Sequence, residues 1–476
     1  MLHVPVLRAG NTYTSLDQIV LSDIRTGEPV ARVSQANRGL IARDMAGAAS
    51  RKRILASRTA AELITICRKA ADLFFNGSLE VDEGQPQTPT DYVRALSATT
   101  GMPETMARAN MEKNRFVLAE MDRVLAGWTR GLDLSLLDTG YGEEGGRMVA
   151  WRPEAEALGA ILPANSPGVH SLWMPAFAMK YPLVLKPGRQ EPWTPLRVAR
   201  ALMAAGAPPE AFCFYPTDHA GAAEILLRCG RSMLFGDDST LRAWRDDPGV
   251  QLHGPGWSKV ILGDDEAPRW EKHLDLMAAS ITDNGGRSCL NTSSVWCAAN
   301  GREVALALAR RLATFKALPL NHPEARLAAF SVPSIATRIN DMIDRLLTTP
   351  GAEDLTAKER GSERLVTVDG CAFLLPTVIW CEDAGHPLLS CEFLFPFACV
   401  VEKPQDEIVS SIGSTLVATA LTNDDSFRSA LLGCGTIDRL NLGSIPTSRV
   451  SWDQPHEGNL FEHLYRQRAL QLASVS

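Results

Sequence analysis

The sequence predicts an α/β protein built around a parallel sheet, on three observations. From Gly159 onward, short apolar runs alternate with amphipathic segments. The apolar runs are nearly unbroken rather than alternating, as strands covered on both faces require. At 476 residues the chain is long enough for two or three domains around such sheets.

Taken in order, residues 40–125 read as helical: "AAELITICRKAADLFF" and "PETMARANMEKNRFVLAEMDRVLAGW" repeat apolar residues at three- and four-residue spacing. Between 129 and 153, "TRGLDLSLLDTGYGEEGGRMVAWRP" sets two alternating segments around a Gly-rich turn, the pattern of a hairpin or paired arm. The alternation then begins. "GAILPA" is a strand, "HSLWMPAFAMKY" a helix, "PLVLKP" a strand, and "PWTPLRVARALMAAG" a helix with proline at its start and glycine at its end. "AFCFYP", "SMLFG" and "VQLHG" follow as strands, separated by the helices "AGAAEILLRCG" and "STLRAWRDD". This is a Rossmann-like order without a glycine fingerprint, because no GxGxxG follows any of these strands. "KVILG" and a long helix ending near Asn284 lead to a cysteine-bearing turn. A second α/β region continues to about residue 445, and the tail "GNLFEHLYRQRALQLASVS" suits a short strand or helix.

Composition excludes several classes. With 45% hydrophobic and 22% charged residues the chain is globular, and a net charge of −7 without a basic block argues against nucleic acid or an anionic membrane as partner. Ten scattered cysteines with no CxxC pair argue against a zinc ribbon or a disulfide framework, and no metal site is expected. The opening "MLHVPVLRAGNTYTS" lacks the features of a signal peptide, and no apolar run nears the roughly 20 residues of a membrane span. The expectation is a reduced, cytoplasmic, soluble protein.

One stretch points to chemistry. In "TDNGGRSCLNTSSVWC", residues 282–297, Cys289 follows Gly, Gly, Arg and Ser on a tight polar turn, where a buried structural cysteine would not be expected. A thiolate is a strong nucleophile, and Arg287 two residues away would favour its formation. Cys297 sits in the strand-like "SVWCAA" and reads as core, as do the other cysteines.

Several motifs accumulate around this turn in a fixed order: "PANSP" at a strand end, "VLKP", "NGGRSC" with Asn five and Gly three residues before the thiol, "EFLFPF" at 392–397, and "TALTND". Together with "TGEPVARV" near the start, they resemble the aldehyde dehydrogenase superfamily from about residue 20 nearly to the C-terminus. The resemblance implies an aldehyde dehydrogenase-like α/β fold. Its Rossmann-like cofactor domain would comprise residues 1–128 and 154–257, its α/β catalytic domain 258–445, and a small β oligomerisation arm 129–153 and 446–476. The implied activity is NAD(P)-dependent oxidation of a small-molecule aldehyde to an acid through a Cys289 thiohemiacetal and thioester. Asn165 and the Cys289 backbone N–H would be the oxyanion donors, Lys186 would contact the adenosine ribose and Glu392 the nicotinamide ribose. A homodimer or homotetramer is implied, because the arm looks like the segments that add strands to a neighbouring subunit's sheet.

The sequence also departs from the family pattern. Phe395 replaces the usual glycine of "EFLFPF". Arg189 stands where a ribose-binding carboxylate is common, which suits the 2′-phosphate of NADP, although a surface arginine would look the same. The phosphate-facing motif becomes "LFGDDST": Gly236 remains, but Asp237 and Asp238 place negative charge there and are also good helix caps. His253 of "VQLHGPGWSKV" aligns with the glutamate that activates the deacylating water, and a neutral histidine is able to take that role, although a strand-end histidine with no such role would look the same. These departures leave two alternatives. One is a CoA-acylating dehydrogenase or acyl-CoA reductase, with CoA as co-substrate. The other is a catalytically impaired binding or scaffold protein. The aromatic residues Trp173 and Phe177 near Asn165 suit either core or pocket.

Overall fold

The computed structural model describes residues 1–471. The predicted strands assemble into the first of two seven-stranded sheets. Its strands lie in the order Val250–His253, Gly230–Phe235, Ala157–Ile161, Leu183–Lys186, Phe212–Phe214, Val6–Arg8, Asn11–Tyr13. The first five run parallel, as their unbroken apolar sequences require, and both faces are buried. Side chains alternate across the sheet: Leu183 and Leu185 enter one core with Phe212 and Phe214, while Val184 and Cys213 enter the other. The two antiparallel edge strands come from the N-terminus and were not expected from the sequence.

The second sheet has the order Ala352–Asp354, Thr377–Cys381, Phe397–Glu402, Thr292–Cys297, Ser258–Leu262, Thr415–Leu421, Ile437–Leu442. All but its first strand run parallel. Cys297 lies in its centre and is fully buried, the reading given to it above.

The N-terminal helices form where the three-and-four spacing places them, but not without interruption. Ala60–Asn76 and Pro89–Thr100 start on capping boxes, Thr59 with Glu62 and Thr88 with Asp91. Between them Leu79–Asp82 and Gln85–Gln87 pair as a short hairpin, so the segment 40–125 is not helical throughout. Gly84, at φ 69°, supplies its turn. "HSLWMPAFAMKY" also departs from a single helix. A 3₁₀ segment Pro167–Leu172 gives way to the one-turn helix Pro175–Ala178, because Pro175 has no N–H to continue the ladder. Trp173 and Phe177 there are fully buried, so they are core rather than pocket. "STLRAWRDD" is likewise short, Asp238–Leu241 followed by a 3₁₀ turn.

The arm is a three-stranded sheet. Tyr141–Glu144 and Arg147–Pro153 form a hairpin through Gly145 (φ 54°) and Gly146 (φ 77°), two left-handed residues that match the twist of a two-residue turn. The tail is both helix and strand: Leu460–Leu464 precedes Tyr465–Arg468, which pairs with Arg147–Pro153. Residues 472–476 of the expected arm lie outside the described residues. Among the described residues no helix is long and apolar enough to cross a membrane.

Candidate active site

A cavity of about 1050 Å³ opens between the sheets. Segments that follow strands of the first sheet line it: Pro163–Ser166, Gly236–Asp237 and His253–Pro255. Facing them are segments that precede strands of the second, Arg287–Asn291 and Glu392. Asn165, Gly236, His253, Cys289 and Glu392 therefore share one cavity, though they span more than two hundred positions of sequence. Lys186 and Arg189, at and beyond the end of Leu183–Lys186, are not part of its lining.

The cysteine turn is held by its own residues. Asn284, Gly285 and Gly286 are successive left-handed positions, with φ of 54°, 67° and 69°. Gly286 has no alternative, since a Cβ there would lie 2.4 Å from the Phe395 carbonyl carbon. Asn291 ties the loop together: its side-chain oxygen accepts from Ser288 N at 2.9 Å, and its amide donates to Asp283 O at 2.9 Å. The carbonyl of Cys289 accepts from Ser258 Oγ at 2.8 Å, and a Cβ on Gly256 would sit 2.0 Å from that oxygen. Cys289 itself is half-buried, whereas eight of the ten cysteines are buried.

The electrostatics of the thiol differ from expectation. Burial pushes its ionisation well above the usual thiol range, and the carboxylates of Glu457 and Glu392 push in the same direction, against Ser288 and the Cys289 backbone N–H. Arg287 does not help. Its guanidinium turns away, donating to Thr100 O at 2.9 Å, and is almost fully buried. Sequence adjacency misleads here because successive side chains of a tight turn point in different directions.

Asn165 donates Nδ2 to the Arg287 carbonyl at 2.9 Å, so its amide is aimed at the chain beside the thiol. Asn284 Nδ2 donates to Ser166 Oγ at 3.0 Å, and Asn110 Nδ2 to Asn284 Oδ1 at 2.7 Å. Together they bind the "PANSP" corner to the cysteine turn.

His253 closes the edge strand of the first sheet. Its ring stacks on Phe235 at 4.3 Å and 13°. Nδ1 is hydrogen-bonded to Glu457 Oε2, and Nε2 has no partner among the described residues although it is buried. Sequence reasoning missed Glu457, which lies 204 positions away and belongs to no motif. Neighbouring His456 is pushed down to about 4, chiefly by burial.

Glu392 accepts from Trp257 N at 2.6 Å and Gly256 N at 3.2 Å. Burial nonetheless raises its carboxyl to about 7. Phe395, in the place of the usual glycine, is buried among Phe393 and Phe397. Asp237 is the N-cap of Asp238–Leu241, accepting from Thr240 N at 2.9 Å and Ser239 Oγ at 2.7 Å. Asp238 pairs with Arg245 at 2.7 Å. Asp237 thus takes up the Thr240 N–H at the helix start. Lys186 is half-buried, lowered by burial alone, with no hydrogen-bond partner among the described residues, and Arg189 is exposed.

Comparison with known proteins identifies the family and the fold. The family model for the aldehyde dehydrogenase family matches residues 13–418. A comparison with curated protein sequences found no match. Among solved structures, aldehyde dehydrogenase 21 of Physcomitrella patens, in complex with the reaction product succinate, is similar at a TM-score of 0.79 and 17% identity, covering 100% of this chain and 99% of its own. The indole-3-acetaldehyde dehydrogenase AldA of P. syringae, in complex with NAD+ and IAA, gives 0.79 at 14% identity, with 98% and 96% covered. A 3,6-anhydro-L-galactose dehydrogenase in complex with NADP gives 0.77 at 15% identity, with 98% and 99% covered.

Proposed function

The chain belongs to the aldehyde dehydrogenase family of NAD(P)-dependent oxidoreductases, and on that premise we propose that it oxidises a small-molecule aldehyde to a carboxylic acid through a thiohemiacetal and thioester on Cys289. The observation that carries this reading is the meeting of Cys289, Asn165, His253 and Glu392 in one cavity between the two sheets.

Cys289 Sγ attacks the aldehyde carbon. Its thiol is not ionised beforehand, so the proton must leave as the bond forms, and the unpartnered Nε2 of His253 is the base that the cavity offers. Asn165 Nδ2, released from the Arg287 carbonyl, and the Cys289 N–H donate to the oxyanion. A bound nicotinamide dinucleotide would supply the hydride acceptor, and His253 releases the thiol proton to solvent before it serves again as base. A water then adds to the thioester carbon, giving a proton to His253 Nε2. The C–S bond breaks, the acid departs, and Sγ leaves as a thiolate that recovers a proton from the imidazolium.

The residues fit a dinucleotide at two places: Glu392 in the cavity for the nicotinamide ribose, and the partnerless Lys186 at its strand end for the adenosine ribose. Gly236 leaves the intervening strand end free of a side chain, and exposed Arg189 suits the 2′-phosphate of NADP. The proposed division into a cofactor domain (1–128 and 154–257), a catalytic domain (258–445) and an arm is supported by the separation of strands into two large sheets and a small one. The Tyr141–Glu144 edge, with Tyr141 44% exposed, is a surface suited to a second subunit as dimer or tetramer.

A second reading is favoured by one observation. The base position holds an imidazole rather than a carboxylate, and a CoA thiol as acyl acceptor would dispense with an activated water. One assay separates these readings: reduction of NAD or NADP over a panel of aldehydes, with and without CoA, beside Cys289→Ala. Turnover without CoA that vanishes in the variant supports the hydrolytic reading, and turnover only with CoA replaces it. Silence throughout, with neither dinucleotide bound, points to the scaffold alternative.

A further inference from the structure

Several residues between Pro446 and His456 line the cavity, and the next residue brings to His253 a group that lies outside every motif of the sequence. Glu457 occupies left-handed backbone at φ 49°, and its side chain is 13% exposed. The position is anchored on both sides. Gln251 donates its amide to the Glu457 carbonyl, and Asn459, two residues on, caps the helix Leu460–Leu464 while donating to Trp128 O at 2.8 Å.

We propose that Glu457 is a positioning residue that completes a Cys289–His253–Glu457 relay, holding the proton of His253 on Nδ1 so that the Nε2 lone pair faces the thiol cavity. The inference rests on the reading of Cys289 as nucleophile and His253 as base.

The tautomer follows from the donor inventory. An ionised carboxylate only accepts, so the ring nitrogen bonded to it must carry hydrogen, and a neutral imidazole then leaves Nε2 as acceptor. Burial raises the Glu457 carboxyl, but its bond to His253, nearby His456 and the Gly254 N–H bring it below the usual carboxyl range, which suits an acceptor. Phe235 fixes the ring plane by stacking. A buried acceptor without a partner, as Nε2 is among the described residues, is unfavourable, and His253 lines the cavity in which a water or thiol proton would meet it. The same carboxylate has a second effect. It disfavours an isolated thiolate at Cys289, yet it stabilises a thiolate paired with an imidazolium, so proton transfer is tied to substrate attack.

The test uses p-nitrophenyl acetate, which needs neither cofactor nor a known aldehyde. Cys289 Sγ displaces p-nitrophenolate in a burst, giving an acetyl thioester that water, deprotonated by His253, converts to acetate and free thiol. In Glu457→Gln the burst amplitude stays at one equivalent while the steady rate after it falls about tenfold to hundredfold, and Glu457→Asp recovers part of it. A purely structural role would instead lower the amplitude, which overturns the proposal. Unchanged turnover in Glu457→Gln beside a large loss in His253→Gln overturns the positioning role and leaves the base reading standing. Unchanged turnover in His253→Gln removes the base reading itself. Independently of activity, nitrogen NMR of histidine-labelled enzyme should find His253 protonated on Nδ1, and an Nε2–H tautomer overturns the proposal.

Discussion

The turn that carries Cys289 and the strand end that carries His253 line one cavity from opposite sheets, and they are held in different ways. The cysteine turn is shaped from within by three left-handed residues and the Asn291 side chain across the loop, although Arg287 also anchors it to the Thr100 carbonyl 187 positions away. The histidine is held from outside, by Phe235 on the adjacent strand and by a carboxylate 204 positions along the chain. A nucleophile that needs a tight turn leaves a local signature in sequence. A base that needs an orienting partner does not, because any carboxylate that the fold delivers will serve.

The comparison can be broken or sharpened by experiment, beginning with the largest effect. Asn165 bridges the corner and the turn, and as an oxyanion donor its replacement in Asn165→Ala should lower kcat about 10²–10³-fold. If kcat is kept and only stability drops, its bond to the Arg287 carbonyl is its whole role. Gly286→Ala tests the rigidity of the turn: the left-handed φ and a Cβ 2.4 Å from the Phe395 carbonyl carbon should cost about 2–4 kcal/mol in urea unfolding. Arg287→Met should cost about 1–3 kcal/mol by leaving the Thr100 carbonyl without its donor. The pH dependence of Cys289 alkylation by iodoacetamide should not move in that variant. A shift toward higher pH would restore arginine as the thiol's activator.

A pH-dependent effect concerns Glu392. Its folded-state value of about 7 lies above the ordinary carboxyl range, so the native state holds this proton more tightly than the unfolded chain. Stability should therefore fall as pH rises from about 4.5 toward 7 and level off above, and Glu392→Gln should flatten that slope. An unchanged slope would mean that the N–H groups of Gly256 and Trp257 already compensate for its burial.

Much of this was legible beforehand. The parallel strands were readable because burial on both faces imposes an apolar run with no polar alternation, as in Leu183–Lys186. Asn165, Cys289 and Glu392 were readable because each sits in a motif whose spacing matches the family. Less legible were the break in "HSLWMPAFAMKY" at Pro175 and the hairpin at 79–87, where single prolines and turn residues override an apolar pattern. The role given to Arg287 failed for a different reason: proximity in sequence says nothing of side-chain direction.

The sequence by itself therefore determined the α/β class, the parallel sheet and the thiol on its turn, since periodicity, burial and turn chemistry act between near neighbours. Only the tertiary structure decided that Arg287 faces the Thr100 carbonyl, that two carboxylates disfavour a free thiolate, and that His253 has Glu457 behind it. Charge and hydrogen bonding act through space, and the distances on which they depend are set by the fold.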